Sequence, residues 1–358
     1  MRSKSFKWLV LIAALVMLAA WQSRRLASTR RDGMPEAYAG YSSDVPPALN
    51  FVMAGLGGFR GIVSEILWFR VNRLQEEGRF LELVQLAEWI AMLDPHASEA
   101  WAYNAWNLAY NVSIMMVRDE DRLRWVRNGI RLLRDDGLRF NPREAKLYRE
   151  LAWLYQNKIG DNLDSAHLAY KLDLARSMTP VVNADGTVNP STETRAKLAV
   201  LRLDTDRMLE LERRFGPLDW RLAESHAIYW ASQGLEYAVG TERLMCQRGV
   251  YQPLMLSVFN GRFTGNVKTG EWRVAGNPAL ALAAAEILED TCREFPSNIM
   301  RNILIRFLAT AVQQMRREGQ EQLMQELYRR LADNLPMPAQ KPSLAEVLQG
   351  WKPKNESD

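Results

Sequence analysis

The sequence contains few of the residues that most often carry enzyme chemistry. Its 358 residues include two cysteines and three histidines. His96, His167 and His226 are scattered, with no cysteine at metal-ligand spacing, so a zinc site has no support. The patterns GxSxG, HExxH and CxxC are absent, as is the phosphate-binding loop pattern GxxxxGK. We therefore predict a non-catalytic protein with no metal, no cofactor and no catalytic residues.

A surplus of charge of one sign is also missing. Forty-six Lys and Arg stand against 42 Asp and Glu, which leaves a net charge of +4. The two signs are interleaved, as in the segment RDEDR at 118–122. Nucleic-acid-binding proteins more often carry a basic stripe that acidic residues do not cancel. The charged residues are typical of solvated helix faces, and we predict no nucleic-acid partner.

The two cysteines, Cys246 and Cys292, allow two interpretations. They form one disulfide if the domain faces an oxidising compartment. Alternatively, each is a small buried apolar residue, which is common for isolated cysteines.

Long apolar runs are scarce as well, and only residues 8–21 (WLVLIAALVMLAAW) form one without charge. A bilayer-spanning helix needs about 20 residues. The apolar run approaches this length when the polar residues that follow it are included, over 8–23. Trp8 and Trp21 stand where interfacial anchors are expected. We predict a basic tail (1–7), a transmembrane or signal-anchor segment (8–23) and a linker (24–50). A cleaved signal peptide is the alternative; bulky Trp21 and the basic cluster after it favour retention.

The orientation of this segment is nearly balanced by charge. Three basic side chains precede the apolar run and four follow it, so counting positive residues gives no clear answer. By analogy with signal-anchored bacterial proteins, we expect a bacterial inner-membrane protein, single-pass, with its soluble domain in the periplasm.

The rest of the chain is divided by prolines that end helix-sized segments. Leu93-Asp94-Pro95 and Phe140-Asn141-Pro142 are the clearest endings, with looser ones at Pro296 and Pro336. Proline cannot continue a helix, so each marks the boundary between two units. Apolar spacing before Pro95 predicts two antiparallel helices around a turn at Gly78. The fold class predicted from this pattern is all-α.

The stretch from Glu76 to Trp101 resembles a tetratricopeptide repeat, a helix pair of about 34 residues. The resemblance covers residues 64–170, weakly 217–236, and 279–336 mainly as helix pairs; Leu83 and Ile90 replace the family's usual alanines. The prolines at 95 and 142 are 47 residues apart, and residues 111–124 look like the insertion. The resemblance implies a solenoid whose concave face binds extended peptides or partner helices; a generic α-helical domain is the alternative. The residues that define the repeats are Gly78, Phe80, Pro95, Trp101, Pro142, Tyr148, Leu151, Ala152 and Tyr155.

Three segments break the helical pattern. We assign repeats to residues 51–170 and divergent repeats to 171–336, interrupted by a polar surface loop at 177–195. Residues 258–278 read as a β-hairpin around Thr269-Gly270, either a structural flap or a contact element. Residues 337–358 form a Pro-rich linker and tail, with Ser343 as the expected N-cap of a short helix that caps the last repeat or docks onto a partner.

Two functions remain after these exclusions. The first is a membrane-anchored scaffold or adaptor that binds an unidentified protein partner, which requires an exposed apolar or aromatic face. The second is an enzyme acting on an extended polymer such as a glycan, which requires two or more carboxylates converging in a groove. We expect the first.

Overall fold

A computed structural model describes residues 60–335 and 341–351, and this part of the chain is mostly α-helical. The anchor segment 8–23 with Trp8 and Trp21, the basic tail and the linker lie outside the described residues. Among the described residues, no helix is long and apolar enough to cross a membrane. The helices are α1 (Arg60–Glu76), α2 (Phe80–Leu93), α3 (Ser98–Trp106), α4 (Asp119–Arg131), α5 (Ala145–Trp153), α6 (His167–Met178), α7 (Thr192–Val200), α8 (Thr205–Phe215), α9 (Ala223–Gly234), α10 (Gly240–Asn260), α11 (Ala281–Glu294), α12 (Asn298–Arg317), α13 (Glu321–Asn334) and α14 (Leu344–Leu348).

Consecutive helices pack against one another around one apolar core. The closest neighbours include α1 with α2, α9 with α10, and α12 with α13, while α5 lies against both α9 and α10. The core runs through these contacts without interruption from Val71 to Val347. The prediction of an all-α fold is confirmed for the described residues.

Two helical segments with the same lengths lie 47 residues apart in the sequence. Helix α3 continues as a π-helical turn over Asn107–Val112, and α5 continues as another over Leu154–Ile159. Both the α and the π boundaries of the second unit lie 47 positions after those of the first. The insertion expected over residues 111–124 is mostly helical, with only 115–118 between helices. Helix α4 also ends in a π turn, Leu132–Gly137, before a last α turn at Leu138–Phe140.

The two prolines of the repeat pattern hold equivalent positions. The Pro95 carbonyl accepts a hydrogen bond from Trp101 Nε1, and the Pro142 carbonyl accepts one from the Tyr148 hydroxyl, each at 2.9 Å. In both units the donor lies six residues after the proline and fixes the entry to the next helix. Asn141 also donates to the Pro95 carbonyl, at 2.8 Å, which ties the second unit to the first.

Local sequence signals account for several helix ends. Gly78 turns the chain between α1 and α2 with φ +69°, a conformation that glycine adopts without strain. Asp204 caps α8 by accepting from the backbone N–H of Asp206 and Arg207. Ser343 caps α14, as predicted, and it forms a capping box with Glu346. Val347 of α14 is buried, and its carbonyl accepts from Gln313 of α12, so this short helix covers the end of the core.

The hairpin predicted within 258–278 is confirmed. Strand β1 (Arg262–Phe263) pairs antiparallel with β2 (Val274–Ala275), with Phe263 opposite Val274. A further bridge joins Asn266 to Glu271.

The loop predicted at the surface over 177–195 is exposed at most of its residues, and a few buried residues anchor it in the core. Val181 and Val188 are both almost fully buried, and Val182 and Val188 form an isolated β-bridge. The segment is mainly polar, which predicts exposure, while a few of its apolar residues turn inward. The two cysteines are free thiols, with Cys246 buried and Cys292 half-buried.

Candidate functional site

A cavity of about 540 Å³, lined by both polar and apolar residues, lies under the β-hairpin. Its walls come from four regions that are distant in sequence: residues 156–171, which run from the π turn after α5 into α6, the start of α9, the end of α10, and the hairpin. We call it the hairpin cavity. Its polar and aromatic lining residues are Gln156, Asn157, Asp161, Asn162, His167, Lys171, Glu224, Asn260 and Trp272.

The π turn after α5 supplies one wall of the cavity, and it is followed directly by Gly160. The Gly160 N–H bonds the Tyr155 carbonyl at 2.9 Å, five residues back. A Cβ at position 160 would lie 2.6 Å from the Gln156 carbonyl oxygen and 3.3 Å from the Cβ of Ala223. Only glycine therefore lets this turn lie so close to α9. Single π turns within α-helices are frequent at functional sites.

The hairpin supplies the opposite wall. The rings of Phe263 and Trp272 lie 5.2 Å apart between centroids. Phe263 packs with Ala175 of α6 and Leu222, and Trp272 and Val274 pack against this cluster. The hairpin is therefore part of the packed structure, and it presents Trp272 to the cavity.

The cavity holds a lysine and a carboxylate whose charges are only partly compensated. Lys171 is buried, donates to Asn162 Oδ1, and lies 5.9 Å from the centroid of the Trp272 ring. Burial lowers the pKa of Lys171, while Glu224 and Asp161 partly offset that shift. Burial raises the pKa of Glu224, which makes no hydrogen bond to another side chain within the described residues. A lysine and a carboxylate that lie in one cleft and whose pKa values are both shifted by burial are typical of a functional site.

Other polar groups of the lining also have unused hydrogen-bonding capacity. The buried Nδ1 of His167 has no partner in the part of the chain that the structure describes. Gln156 donates weakly to Gln252 at 3.4 Å, and Asn157 to the Trp153 carbonyl at 3.3 Å. Buried polar groups without partners are costly, so this lining favours a polar ligand that would satisfy them.

Asp219 fixes the position of the hairpin and of α9. Its side chain is 1% exposed and accepts from Arg221 Nε and Nη2 at 2.8 and 2.7 Å. It also accepts the Phe263 N–H, at 2.8 Å, where β1 begins. The Asp219 carbonyl accepts from Ser225 Oγ, one residue after Glu224. This aspartate, with Arg221 and Phe263, is called the Asp219 clamp below.

The loop 177–195 meets the same clamp at a glycine. Gly186 has φ +91°, and a Cβ there would lie 2.2 Å from Asp219 Cγ. The Gly186 carbonyl accepts the Trp220 N–H at 3.0 Å. Glycine is required here by both its backbone conformation and its contact.

An exposed aromatic strip continues from the cavity along α5 and α3. Trp153 is 41% exposed and lies one turn before Gln156 and Asn157, on the same helix face. Trp106 is 39% exposed and stacks on Tyr110, 5.4 Å between ring centroids. The cavity provides polar groups, and the aromatic strip beside it provides an exposed apolar surface.

Several of the residues predicted to define the repeats are buried in the core. Trp101 is buried against Phe140, and Leu151 and Ala152 are buried in α5. None of the nine residues that define the repeats lines the hairpin cavity. The residues that do line it were missed, apart from Asn260, Trp272 and Val274, which lie within the predicted hairpin segment. The amide-rich stretch QNKIGDN at 156–162 is the one local signal that could have indicated it.

Within the described residues, no group of three or more His, Cys, Asp or Glu side chains is arranged to hold a metal ion. No protein-family model matches the chain, and no curated protein gives a significant match to it.

Proposed function

We propose that this chain is a membrane-tethered, helical-repeat scaffold that binds an extended segment of a protein partner in the hairpin cavity. The observation that carries the proposal is the cavity itself, in which amide side chains, one lysine, two acidic residues and an indole surround one space. The 47-residue offset between two helix units supports a repeat scaffold of the tetratricopeptide type. The apolar run at residues 8–21 supports the tether, with the domain on the periplasmic side of a bacterial inner membrane.

The amide side chains favour a peptide as the occupant. Gln156, Asn157 and Asn260 each offer a carbonyl acceptor and an NH₂ donor at the cavity surface. An extended peptide carries the same alternation of N–H and C=O groups, all of which need partners when they are buried. Trp153 and Trp106 then provide apolar contact beyond the cavity, as aromatic anchors commonly do at interfaces.

The charge of the cavity favours a basic side chain in that segment. Asp161 and Glu224 line the space together with a single cation, Lys171. A lysine or arginine of the partner would restore a charged neighbour to Glu224 and face the indole of Trp272. An acidic segment would instead be repelled.

Replacing Trp272 with alanine is expected to weaken partner binding about 30-fold, since a central buried aromatic contributes about 2 kcal/mol or more to an interface. The measurement compares full-length tagged wild type and variant for the amount of partner recovered from membranes after crosslinking. Ile299→Ala is the matched control, because Ile299 is 74% exposed and lies outside the cavity lining.

Two controls make this result specific. Trp272→Phe keeps an aromatic face and is expected to retain most of the binding. Hydrogen exchange of the Phe263 amide should be unchanged in all three variants if the hairpin stays folded. Equal recovery of every partner with wild type and Trp272→Ala would contradict the proposal.

A second candidate function is supported by one observation. Asp161 and Glu224 line one cavity, and the pKa of Glu224 is raised by burial, an arrangement that a glycan-cleaving enzyme uses for its acid. Glu224→Gln distinguishes the two functions. An enzyme would lose turnover of its polymer while still binding it, whereas a scaffold would show no turnover in wild type.

A further inference from the structure

A second cavity, separate from the hairpin cavity, has a wall that is mostly apolar. It lies between α4, α6 and the π turn after α5, and its volume is about 320 Å³. We call it the apolar cavity. Its aliphatic lining residues are Leu123, Val126, Ile130, Ile159, Leu174, Met178, Leu201 and Leu203.

One part of this wall depends on an uncommon backbone conformation. Leu201 and Leu203 both line the cavity, and Arg202 between them has φ +55°, in the left-handed region that residues other than glycine rarely adopt. The Leu203 N–H donates to the Leu198 carbonyl at 3.0 Å and closes the turn that follows α7. Backbone strain of this kind is found most often at functional sites.

Two of the three arginines in the lining are already paired with aspartates. Arg127 forms an ion pair with Asp173, which also lines the cavity. Arg134 donates from Nε and Nη2 to Asp135, at 2.8 Å in each case. His226 of the lining is buried, which lowers its pKa, so it is neutral at pH 7. These groups and their partners therefore bring no net charge to the cavity.

The third arginine of the lining, Arg131, has a charge that no acidic side chain balances. Its Nη2 donates to Asn128 Oδ1 at 3.2 Å, and it forms no ion pair within the described residues. A neutral amide does not compensate the charge of a guanidinium. The lining as a whole therefore carries one unmatched positive charge.

The unmatched charge lies at the opening of the cavity. The exposed residues of the lining are Arg127, Arg131 and Ser177, and they mark the side that faces solvent. Val126 and Met178, by contrast, are fully buried and belong to the interior of the wall. A ligand that enters from solvent would thus meet the guanidinium first and the apolar wall behind it.

We propose that the apolar cavity binds an alkyl carboxylate of about ten carbon atoms, with its chain against the apolar wall and its carboxylate on Arg131. At roughly 30 Å³ for each water-sized group, 320 Å³ holds about ten such groups. A carboxylate matches the geometry of a guanidinium and supplies the single negative charge that the lining lacks. A mostly apolar pocket with a few polar groups is typical of small-molecule sites. This inference is independent of the partner-binding function.

The same arrangement ranks amphiphiles of equal chain length. An alcohol fills the apolar wall equally well but leaves the charge of Arg131 unmatched. An amine fills the wall and adds a second positive charge beside the first. The cavity should therefore prefer the carboxylate to the alcohol, and the alcohol to the amine.

Photolabelling of the full-length chain in membranes tests the proposal. The probe is decanoic acid carrying a diazirine on its alkyl chain, compared at pH 7, where its carboxyl group is ionised, with the matching 1-decanol probe. We expect acid labelling to map to the buried residues Val126 and Met178, to saturate, and to be competed by unlabelled decanoate. It should exceed alcohol labelling about tenfold, the effect of one charge-assisted hydrogen bond.

Variants at Arg131 connect this preference to the guanidinium. Arg131→Gln removes the charge at an exposed position, so the melting temperature should stay that of wild type. Acid labelling should fall about tenfold, to the level of the alcohol probe, while alcohol labelling stays unchanged. Arg131→Lys restores the charge and should recover most of the acid labelling.

Arg124→Gln is the matched control. Arg124 lies seven residues before Arg131 on α4, its side chain is 64% exposed, and it is outside the cavity lining. This variant loses the same charge and should be labelled like wild type. Equal labelling by acid and alcohol, labelling that maps away from the cavity, or acid labelling that Arg131→Gln leaves unchanged would overturn the proposal.

Discussion

Replacing Asp219 with alanine is expected to lower the free energy of unfolding by about 3–5 kcal/mol. The side chain is 1% exposed and holds the largely buried guanidinium of Arg221. Its removal leaves a cation without its partner in the interior and frees the Phe263 N–H, which the carboxylate accepts at 2.8 Å. The loss is measured by denaturant unfolding of the full-length protein in detergent, followed by tryptophan fluorescence.

Asp206→Ala is the matched control for this variant. Asp206 also pairs with an arginine, Arg195, but its side chain is 73% exposed, so its removal should cost far less than that of Asp219. The double variant Asp219→Ala, Arg221→Ala should recover part of the loss, because it removes the unpaired cation as well. Hydrogen exchange of the hairpin amides should accelerate in Asp219→Ala. A loss no larger than that of Asp206→Ala would show that the clamp does not fix the hairpin.

The second large effect is a loss of stability in acid that depends on His226. Burial lowers the pKa of His226 to about 4, and the hydrogen bond to the Trp220 carbonyl offsets only part of that shift. The unfolded chain takes up this proton near the ordinary value of about 6.5, whereas the folded chain does so only near pH 4. The neutral imidazole therefore contributes stability that is complete above about pH 6.5 and is lost as the pH falls towards 4. The loss is about 3 kcal/mol.

The difference between wild type and His226→Phe isolates this contribution. Unfolding free energies of both are measured from pH 7.5 to 4, and wild type should lose about 3 kcal/mol more than the variant over that range. His96→Phe is the control, since it leaves His226 in place and should keep the wild-type slope. Parallel curves for wild type and His226→Phe would contradict this account, because they would mean that the imidazole takes up its proton as readily in the folded chain as in the unfolded chain.

The sequence predicted the features that depend on local signals. Pro95 and Pro142 each follow the end of a helix, because proline cannot continue one. Gly78 allows the turn between α1 and α2. The apolar periodicity requires helices that pack in pairs. The hairpin was also predictable, because a Thr-Gly turn between two short segments that each contain an aromatic residue is a short-range pattern. The anchor segment and its two tryptophans lie outside the described residues and stay a prediction.

The hairpin cavity could not be predicted, because no short motif encodes it. Its lining joins residues near 160, 171, 224, 260 and 272, which become neighbours only after folding. The clamp that positions it depends on a three-way contact among Gly186, Asp219 and Phe263, and none of these residues is unusual in its local sequence. The buried valines of the 177–195 loop show the same limit, since a mainly polar segment predicts exposure and does not reveal which of its apolar residues turn inward.

The most direct test of the proposed function is a photocrosslinking amino acid placed at Leu256 of the full-length protein in its own membranes. Leu256 is 46% exposed and lies on the rim of the hairpin cavity. Val200, 77% exposed and outside that lining, is the control position. We predict a discrete protein adduct from position 256 that is absent from position 200 and is lost when Trp272→Ala is added. No discrete adduct from position 256, or one that Trp272→Ala leaves unchanged, would contradict binding of a protein partner in this cavity.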